Sequence, residues 1–430
     1  MALSTSMFSA ANGLQAHSEA MNTVSDNIAN ISTTGFKQNQ ARFSDVLMTT
    51  VADAAAGRSQ GQGASLSGIQ TNFTQGSMQP TGRSTDLALQ GNGFFVVKGS
   101  FAGTDGQFFT RDGGFHLDAN GTLVNSSGLV VQGYMADKQG VPQSQVSDMQ
   151  VGGVSLVPPH ATSKATIRAN LDASAPIVPF DLTKPASTST FGTSLTVYDS
   201  RGASYDCDLY FCNVGGNAYT WHAVVDEGSQ TAGTAGVNFE AGTGTLQFDT
   251  EGFLVSPSTG TATFNFAGAD PAQDITFTFG DATVDGGTGR DGVTSYQGKS
   301  NITYLEQDGY AEGALLGVSV DDSGAVSGSF TNGMQRFLGT VCVANFVNQE
   351  GLGRVGGSLY IANGGSGLPA IGPPGVGGRG NIISGSLEQS NVNLSQEFVN
   401  LLTYQRGFEA NTRSIKASDQ MLQELVNLTR

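Results

Sequence analysis

Three short runs in the sequence have residue types that can hold a ligand. Residues 351–356 fit the pattern G-x-G-x-x-G, which binds dinucleotide phosphates when it follows a strand and opens a helix. The next residues, Gly-Ser-Leu-Tyr, predict a turn and a strand, so we expect no dinucleotide site here. Residues 286–291 match one copy of a calcium-binding nonapeptide repeat, a fold that needs several stacked copies. Residues 118–121 lack the downstream Glu of an EF-hand, so we interpret both runs as loops or turns.

The histidines and cysteines give no pattern of metal-binding or catalytic residues. No metal or cofactor is expected, because the four histidines lack ligand spacing; they are His17, His116, His160 and His222. Cys207 and Cys212 lie in one strand-like run, where their side chains face opposite sides and cannot bond to each other. A bridge from Cys342 to either of them stays possible, although we favour three buried free cysteines. No Ser/His/Asp order, paired-carboxylate motif or phosphate loop stands out, so the protein is not expected to be an enzyme.

The composition favours a β-rich protein that does not bind nucleic acid. The chain of 430 residues has a net charge of −16, although only 13% of its residues are charged. The negative charge therefore reflects scarce Lys and Arg, and a chain with few basic side chains matches a phosphate backbone poorly. The 60 glycines, with many Ser, Thr, Asn and Ala, indicate turn-rich β structure. The length predicts two to four domains.

The last stretch of the chain predicts a long helix. Apolar residues recur there every seven positions, as expected for an amphipathic helix. Asn393, with Gln396 three residues later, predicts an N-cap and a capping box, so the helix should begin at Leu394. An interior helical glycine costs about 1 kcal/mol relative to Ala, so Gly407 should have a packing reason, for which we expect close approach of a neighbouring helix. The predicted seam residues are Leu394, Phe398, Leu401, Gly407, Phe408, Ile415, Leu422 and Val426.

The first residues of the chain predict a second long helix. Its apolar positions alternate in steps of four and three, which is the pattern of a coiled-coil seam. No basic n-region or continuous apolar h-region is present, which argues against a cleaved signal peptide, and the stripe is too polar for membrane insertion. Open apolar faces on identical subunits favour repeating assembly, whereas packing of each helix on its own domain is the alternative. The predicted seam residues are Leu3, Met7, Leu14, Met21, Val24 and Ile28, together with Ala10, His17 and Ile31.

The middle of the chain predicts all-β domains inserted between the two helices. Alternating apolar residues and turn signals mark short strands of a sandwich or barrel, with Trp221 in its core. The predicted fold class is mainly β with terminal α, in which the N- and C-terminal helices form a coiled-coil hairpin and the β domains are discontinuous. The predicted domains are a helical domain at 1–34 plus 391–430, extended linkers at 35–70 plus 361–390, an inner β domain at 71–149 plus 286–360, and an outer β domain at 150–285.

Runs next to both predicted helices resemble the bacterial flagellar rod and hook family. The run N-I-A-N-I-S-T-T-G-F-K occupies residues 27–37, and Q-R-G-F-E-A-N occupies residues 405–411. The runs G-N-G-F-F-V-V and F-T-R-D-G-G-F, and the segment 345–360, are similar to β segments of that family. The resemblance identifies as signature residues Asn27, Asn30, Thr34, Gly35, Phe36, Gln405, Arg406 and Asn411.

The resemblance implies a structural subunit that polymerises with copies of itself, and the length and the large β insertion favour a hook subunit. Such a subunit would leave the cell by type III export without a cleaved signal peptide and assemble into a curved tube in the extracellular flagellum. That tube joins rod to filament and transmits motor torque as a universal joint. The implied partners are further copies, the hook cap, the rod, the hook-filament junction proteins and the export machinery. The alternatives are a distal rod subunit, a secreted β-domain adhesin, and a glycine-rich secreted hydrolase.

Overall fold

The computed structural model of the protein describes residues 2–46, 49–50, 59–60, 62–137, 140–152 and 156–428. It does not describe the side chains of residues 2–4, 49–50, 59–60, 425, 426 and 428. The two long helices are Ala2–Ala29 and Leu394–Leu428, and most of the structure between them is β. The predicted class, mainly β with terminal helices, is confirmed. Within the described residues no helix has the length and apolar character of a membrane span.

The chain divides into two compact units. The first unit contains residues 1–155, 316–329 and 335–430, and the second contains residues 156–315 and 330–334. Both long helices belong to the first unit together with its strands. Residues 286–315, predicted in the inner domain, lie in the second unit because Asn301–Gln307 pairs with Lys164–Asn170. The alternation of apolar and polar residues in a strand does not show which distant strand it pairs with.

The strands of the first unit surround an aromatic core. Phe94–Phe101 pairs with Thr104–Thr110 and with Val130–Ala136, which also pairs with Gln335–Val341. The core contains the buried aromatic side chains Phe94, Phe109, Phe346 and Tyr360. Further strands are Thr49–Thr50, Ser59–Gln60, Phe115–Leu117, Leu123–Asn125, Pro142–Asp148, Val343–Asn345, Gly353–Gly356, Leu359–Ile361 and Ala370–Gly372. Gly313–Val320 and Ala325–Phe330 have residues in both units.

The segments predicted as extended linkers contain paired strands. Asn39–Asp45 pairs with Ala64–Thr71. On the other side, Asn381–Ser384 pairs with Leu87–Gln90, and Ser386–Glu388 pairs with Met78–Pro80. The composition of these segments misleads because strand pairing uses backbone groups and needs no large side chain. Residues 51–58, inside the first predicted linker, lie outside the described residues.

The second unit contains two sheets that share one core. The first sheet has the strand order Phe191–Tyr198, Ser204–Gly215, Ala218–Asp226, Asn238–Phe248 and Leu254–Ser256. The second has the order Thr259–Phe264, Gln273–Thr278, Lys164–Asn170 and Asn301–Gln307. Trp221 is 2% exposed within the shared core, as predicted, with its ring centroid 5.4 Å from that of Phe279. The strand Leu156–Val157 and the helix Pro185–Thr188 also have their residues in this unit.

One turn recurs at several hairpins and explains part of the strand spacing. In each copy the side-chain oxygen of an Asp or Asn accepts hydrogen bonds from the amides two and four residues later, and a glycine with positive φ follows three residues after it. At Asp118 the hydrogen bond from the Thr122 amide lowers the pKa of the carboxyl; desolvation opposes this shift, and the hydrogen bond from the Asn120 amide adds to it. Turns of this kind begin at Asp118, Asn125, Asp199, Asp249 and Asp321.

Candidate assembly site: the paired terminal helices and their anchor

The two terminal helices lie side by side and run antiparallel. The Ser6 and Ser418 hydroxyl oxygens are 3.4 Å apart. Toward the other end of the pair, Asn27 Nδ2 donates to Glu397 Oε2 at 3.2 Å. Residue numbers therefore rise along one helix as they fall along the other. The C-terminal helix begins at Leu394, as predicted, because Asn393 Oδ1 accepts hydrogen bonds from the amides of the first turn.

The predicted reciprocal half of the capping box does not form. The Gln396 side chain donates to Asn400 Oδ1 at 3.2 Å. It therefore bonds to a residue one turn further along the helix, and Asn393 caps the helix through its own side chain.

The helices approach closely where each has a glycine. A Cβ atom on Gly407 would lie 2.6 Å from His17 Nε2, and a Cβ atom on Gly13 would lie 2.7 Å from Asn411 Nδ2. The close helix approach predicted for Gly407 is present, and the neighbour is the N-terminal helix of the same chain. His17 also lies beside two aromatic rings, with centroid distances of 5.7 Å to Phe43 and 6.1 Å to Tyr404.

Small and polar residues, not the predicted large ones, are the most deeply buried residues of the two helices. Helix axes can approach closely only where side chains are small. The buried positions are Ala10, Gly13, Ala16, Ala20, Thr23, Val24, Asn27, Glu397 and Ser418. Among the predicted large seam residues whose side chains the structure describes, only Val24 is buried. The half-buried ones are Met7, Leu14, Met21, Ile28, Leu401, Phe408 and Ile415.

Several large apolar side chains of the helices are exposed in the single chain. Phe8 is 66% exposed, and Val399 and Leu402 are 55% and 54% exposed. The predicted seam residues Leu394, Phe398 and Leu422 are exposed as well. The predicted seam residues Leu3 and Val426 are among those whose side chains the structure does not describe. Large apolar side chains left exposed on a helix indicate an interaction surface.

The first signature run joins the N-terminal helix to the β structure. Asn27 Nδ2 donates to the Asn39 carbonyl at 2.7 Å, and Asn27 Oδ1 accepts from the Asn39 amide at 2.9 Å. Thr34 Oγ1 donates to Asp112 Oδ1 at 2.9 Å. Gly35 has a φ of 64°, and a Cβ there would lie 2.5 Å from the Asp112 amide nitrogen, so both conformation and space require glycine.

The remaining signature residues have different surroundings. Phe36 is buried beneath the Arg354 guanidinium, whose central carbon is 5.5 Å from the ring centroid. Asn30 Nδ2 donates to the Asp26 carbonyl at 2.9 Å. Gln405 and Arg406 are exposed on the C-terminal helix. The signature thus includes both interior contacts and surface positions.

A buried ion triad lies immediately next to this signature run. Lys37 Nζ is 2.6 Å from Glu388 Oε1, and Arg111 Nη1 is 3.3 Å from Glu388 Oε2, with all three side chains at most 1% exposed. Lys37 Nζ also donates to the Thr74 carbonyl at 2.9 Å, and the Gly76 amide donates to Glu388 Oε1 at 2.8 Å. Lys37 follows the N-terminal helix and Glu388 precedes the C-terminal one. The triad therefore anchors both helices to the β structure.

The triad is electrostatically unbalanced. Burial lowers the pKa of Lys37, and the negative charge of Glu388 opposes that shift. Burial likewise lowers the pKa of Arg111, again opposed by Glu388. One carboxylate thus compensates two buried cations, and within the described residues Arg111 Nε has no hydrogen-bond partner. Glu388 is the residue on which the arrangement depends most.

Sequence reasoning missed this triad. Its members come from segments far apart in the chain, and charges far apart in a sequence carry no sign of pairing. One signal of the triad was available in the sequence. Lys37 is the first Lys or Arg of the chain and lies in an otherwise uncharged stretch.

The runs that first suggested ligand chemistry have structural roles. Residues 351–356 contain the end of a 3-10 turn and the strand Gly353–Gly356, so the glycine pattern opens no helix. Residues 118–121 form the hairpin turn described above, and residues 286–291 form a loop after Thr283–Asp285. Cys207, Cys212 and Cys342 are free and buried, so the possible bridge from Cys342 is absent. Over the described chain no group of three or more His, Cys, Asp or Glu is placed to hold a metal ion.

Comparisons with known proteins agree along the whole chain. Family models match as flagella basal body rod protein at residues 7–37, flagellar hook protein FlgE/F/G D1 domain at 88–170, flagellar basal body protein FlaE D2 domain at 170–310, and flagellar basal body rod FlgEFG protein C-terminal at 383–428. The flagellar hook protein FlgE of Treponema pallidum is 33% identical over 466 aligned positions covering 99% of both chains. The chain belongs to the flagellar hook protein family. The hook protein FlgE of Escherichia coli is 34% identical, covering 97% of this chain and 98% of its own.

Membership of the hook family decides the class of function. The protein is a structural subunit of the flagellar hook, an extracellular part of the flagellum, and not an enzyme. The distal rod subunit and the secreted adhesin are not favoured. Among solved structures, the Helicobacter pylori flagellar hook protein FlgE2 aligns to 72% of this chain at 15% identity with a TM-score of 0.49, which is too low to support an argument about the fold.

Proposed function

We propose that copies of the protein polymerise through their terminal helices into the wall of a flexible, curved hook tube. The observation that supports this most directly is the exposure of large apolar side chains on the helices, with Phe8, Val399 and Leu402 each more than half exposed. These side chains are on the outside of a helix pair that is already packed inside. Because part of each is already covered, burying the rest against another subunit would contribute about 1–2 kcal/mol per side chain.

In this proposal the terminal helices act as one coiled-coil hairpin. Small residues hold the two helices together within the subunit, and the large half-buried and exposed residues of the predicted seams contact neighbouring subunits. This division explains why the large seam residues remain accessible in the single chain.

The buried triad gives the hairpin a mechanical role. A force applied to the helices passes through Lys37 and Glu388 into the β structure of the same unit, because Lys37 follows the N-terminal helix and Glu388 precedes the C-terminal helix. A subunit built in this way carries a load from its helices into the β structure of the first unit. We therefore propose that the polymer joins rod to filament and transmits torque as a universal joint.

Export and partner binding complete the proposal. The subunit passes unfolded through the flagellar type III export machinery without a cleaved signal peptide. The three free cysteines support this route, because no disulfide has to form or open on the way. Its partners are other copies of itself, the hook cap, the rod and the hook-filament junction proteins.

The test changes one exposed apolar side chain without touching the interior of the helix pair. Leu402→Asp replaces that side chain with a charge and should prevent tube formation, seen by electron microscopy and sedimentation of the purified protein. The unfolding midpoint of the monomer should not change, because Leu402 is exposed. Asn301→Asp, at an exposed position of the second unit, adds the same charge and should form tubes normally. Tubes formed equally well by the Leu402→Asp variant would overturn the proposal.

A further inference from the structure

The terminal helices contain one glycine each, and each glycine lies under a polar side chain of the opposite helix. Gly13 is the single glycine of Ala2–Ala29, and Gly407 is the single glycine of Leu394–Leu428. His17 lies over Gly407, and Asn411 lies over Gly13. Each helix therefore supplies both a cleft and the side chain that fills the cleft of its partner.

The spacing of these residues permits only one alignment. His17 follows Gly13 by four residues, and Asn411 follows Gly407 by four residues. In an antiparallel pair, equal spacings allow both clefts to be filled at the same time. In a parallel pair, placing Asn411 over Gly13 would bring Ile415 to His17 and leave Gly407 unoccupied. An antiparallel slip of one heptad, about 10 Å at 1.5 Å per residue, would place both side chains against residues other than glycine.

We infer that His17 and Asn411, each fitting over the glycine of the opposite helix, determine the register and the antiparallel direction of the terminal helix pair. The fit is tight at both places. A Cβ on Gly407 would lie within 3.0 Å of three atoms of the His17 ring, and the three nearest atoms to a Cβ on Gly13 all belong to the Asn411 amide group at 2.7–3.1 Å. The His17 ring has little freedom to move aside, because the rings of Phe43 and Tyr404 lie beside it and beside each other, with all three centroid distances between 5.7 and 6.1 Å.

Two further contacts between the helices, on either side of the glycines, are consistent with the same register. Ser6 meets Ser418, and Asn27 meets Glu397. The register in turn decides which apolar side chains lie next to each other on the outer surface of the pair. His17 and Asn411 are therefore positioning residues for the proposed subunit interface.

The experiment measures the register with a disulfide in the full chain. Ser6→Cys with Ser418→Cys places two thiols where the hydroxyl oxygens are 3.4 Å apart, so mild oxidation should link them within one chain. Ser6→Cys with Ser414→Cys reports a register shifted by one turn. The natural cysteines are buried and should not compete. The reaction is run in dilute monomer, so its result is independent of whether the chain polymerises; the inference itself rests on the proposed helical hairpin.

Gly407→Ala should reduce the native-register disulfide at least fivefold. Adding His17→Ala to that variant should return the yield to within twofold of the parent, because the added methyl group then occupies the space of the imidazole. Gly13→Ala and its combination with Asn411→Ala should behave in the same way. Gly106→Ala is the control, since a Cβ there has no atom within 4 Å. Because alanine favours helix over glycine, a loss of yield cannot come from helix propensity.

The inference fails if Gly407→Ala gives the parental yield of the native-register disulfide. It also fails if His17→Ala does not restore the yield, since the defect would then arise from something other than the space above Gly407. If Gly407→Ala alone does not fold, the double variant with His17→Ala is compared directly with the parent. A restored yield of the native-register disulfide then supports the inference, and a low yield refutes it.

Discussion

Replacing Glu388 with Gln removes the one carboxylate of the buried triad and leaves its shape nearly unchanged. Lys37 and Arg111 then share a site that is at most 1% exposed with no negative charge beside them. Glutamine keeps one carbonyl oxygen, which can still accept the hydrogen bond from the Gly76 amide. Breaking a buried pair by removing one partner costs about 3–5 kcal/mol, because the other charge stays buried. We expect the unfolding free energy of the first unit to fall by that amount, and its Tm to fall by about 10 °C.

A companion variant isolates the charge imbalance as the cause. Lys37→Met removes one of the two cations and leaves Glu388 paired one-to-one with Arg111. The variant loses the charge-assisted hydrogen bond to Glu388, worth about 1.5–3 kcal/mol, and the bond to the Thr74 carbonyl, which still accepts from Asn391 Nδ2 at 3.0 Å. We expect a smaller loss than for Glu388→Gln, because no buried charge is left without a partner. Glu409→Gln, at an exposed position of the C-terminal helix, is the matched control and should have almost no effect.

Urea unfolding followed by circular dichroism measures all three variants on the same protein. Glu388→Gln should also reduce the protection of the helices from proteolysis, because both are anchored at the triad. The reasoning is refuted if Glu388→Gln lies within 1 kcal/mol of its control, or if Lys37→Met is the more destabilising of the two.

Three further predictions concern other parts of the chain. Gly260→Ala should destabilise the second unit by about 1–3 kcal/mol, measured by the fluorescence of Trp221, because the new Cβ would lie 2.3 Å from the indole ring; an unchanged midpoint would contradict it. Cys207 and Cys342 should not react with a thiol reagent at pH 8 until urea unfolds the protein, because burial raises the pKa of each thiol to about 12. Because the pKa of Asp118 is lower in the folded protein, its carboxylate stabilises the hairpin at pH values above the unfolded-state pKa of about 3.9. This stabilisation is lost as the pH falls through the lower, folded-state pKa. Asp118→Asn keeps the acceptor oxygen, so the difference in urea midpoint between pH 6 and pH 3 should be smaller in that variant; an equal difference would argue against the hydrogen bonds as the cause.

The terminal helices show how far the sequence alone leads. The start at Leu394, the cap at Asn393 and the close approach at Gly407 all follow from local chemistry, and all three are present in the structure. The face on which the helices meet does not follow from it. Large apolar residues dominate the heptad pattern, whereas the helices approach each other most closely at Gly13 and Gly407. A hydrophobic pattern shows which residues avoid water but not which neighbour covers them.

The β region shows the second limit of sequence reasoning. Hairpins such as the one after Asp199 were predictable because a glycine and an Asp at fixed spacing define the turn. The strands at 381–388 and the triad around Glu388 were not predictable, since their partners lie some three hundred residues earlier in the chain. Local chemistry predicts turns and caps, and long-range pairing requires the folded chain.

The contact between Lys37 and Glu388 has a consequence for how such chains can change. It fastens the start and the finish of everything from residue 38 to residue 387 at a single point. The length of the chain between them does not alter the distance between its two ends, provided that Arg111 and the strands that pair beside Glu388 stay in place. Residues can therefore be inserted or removed in the second unit while the two terminal helices stay fastened at the same point.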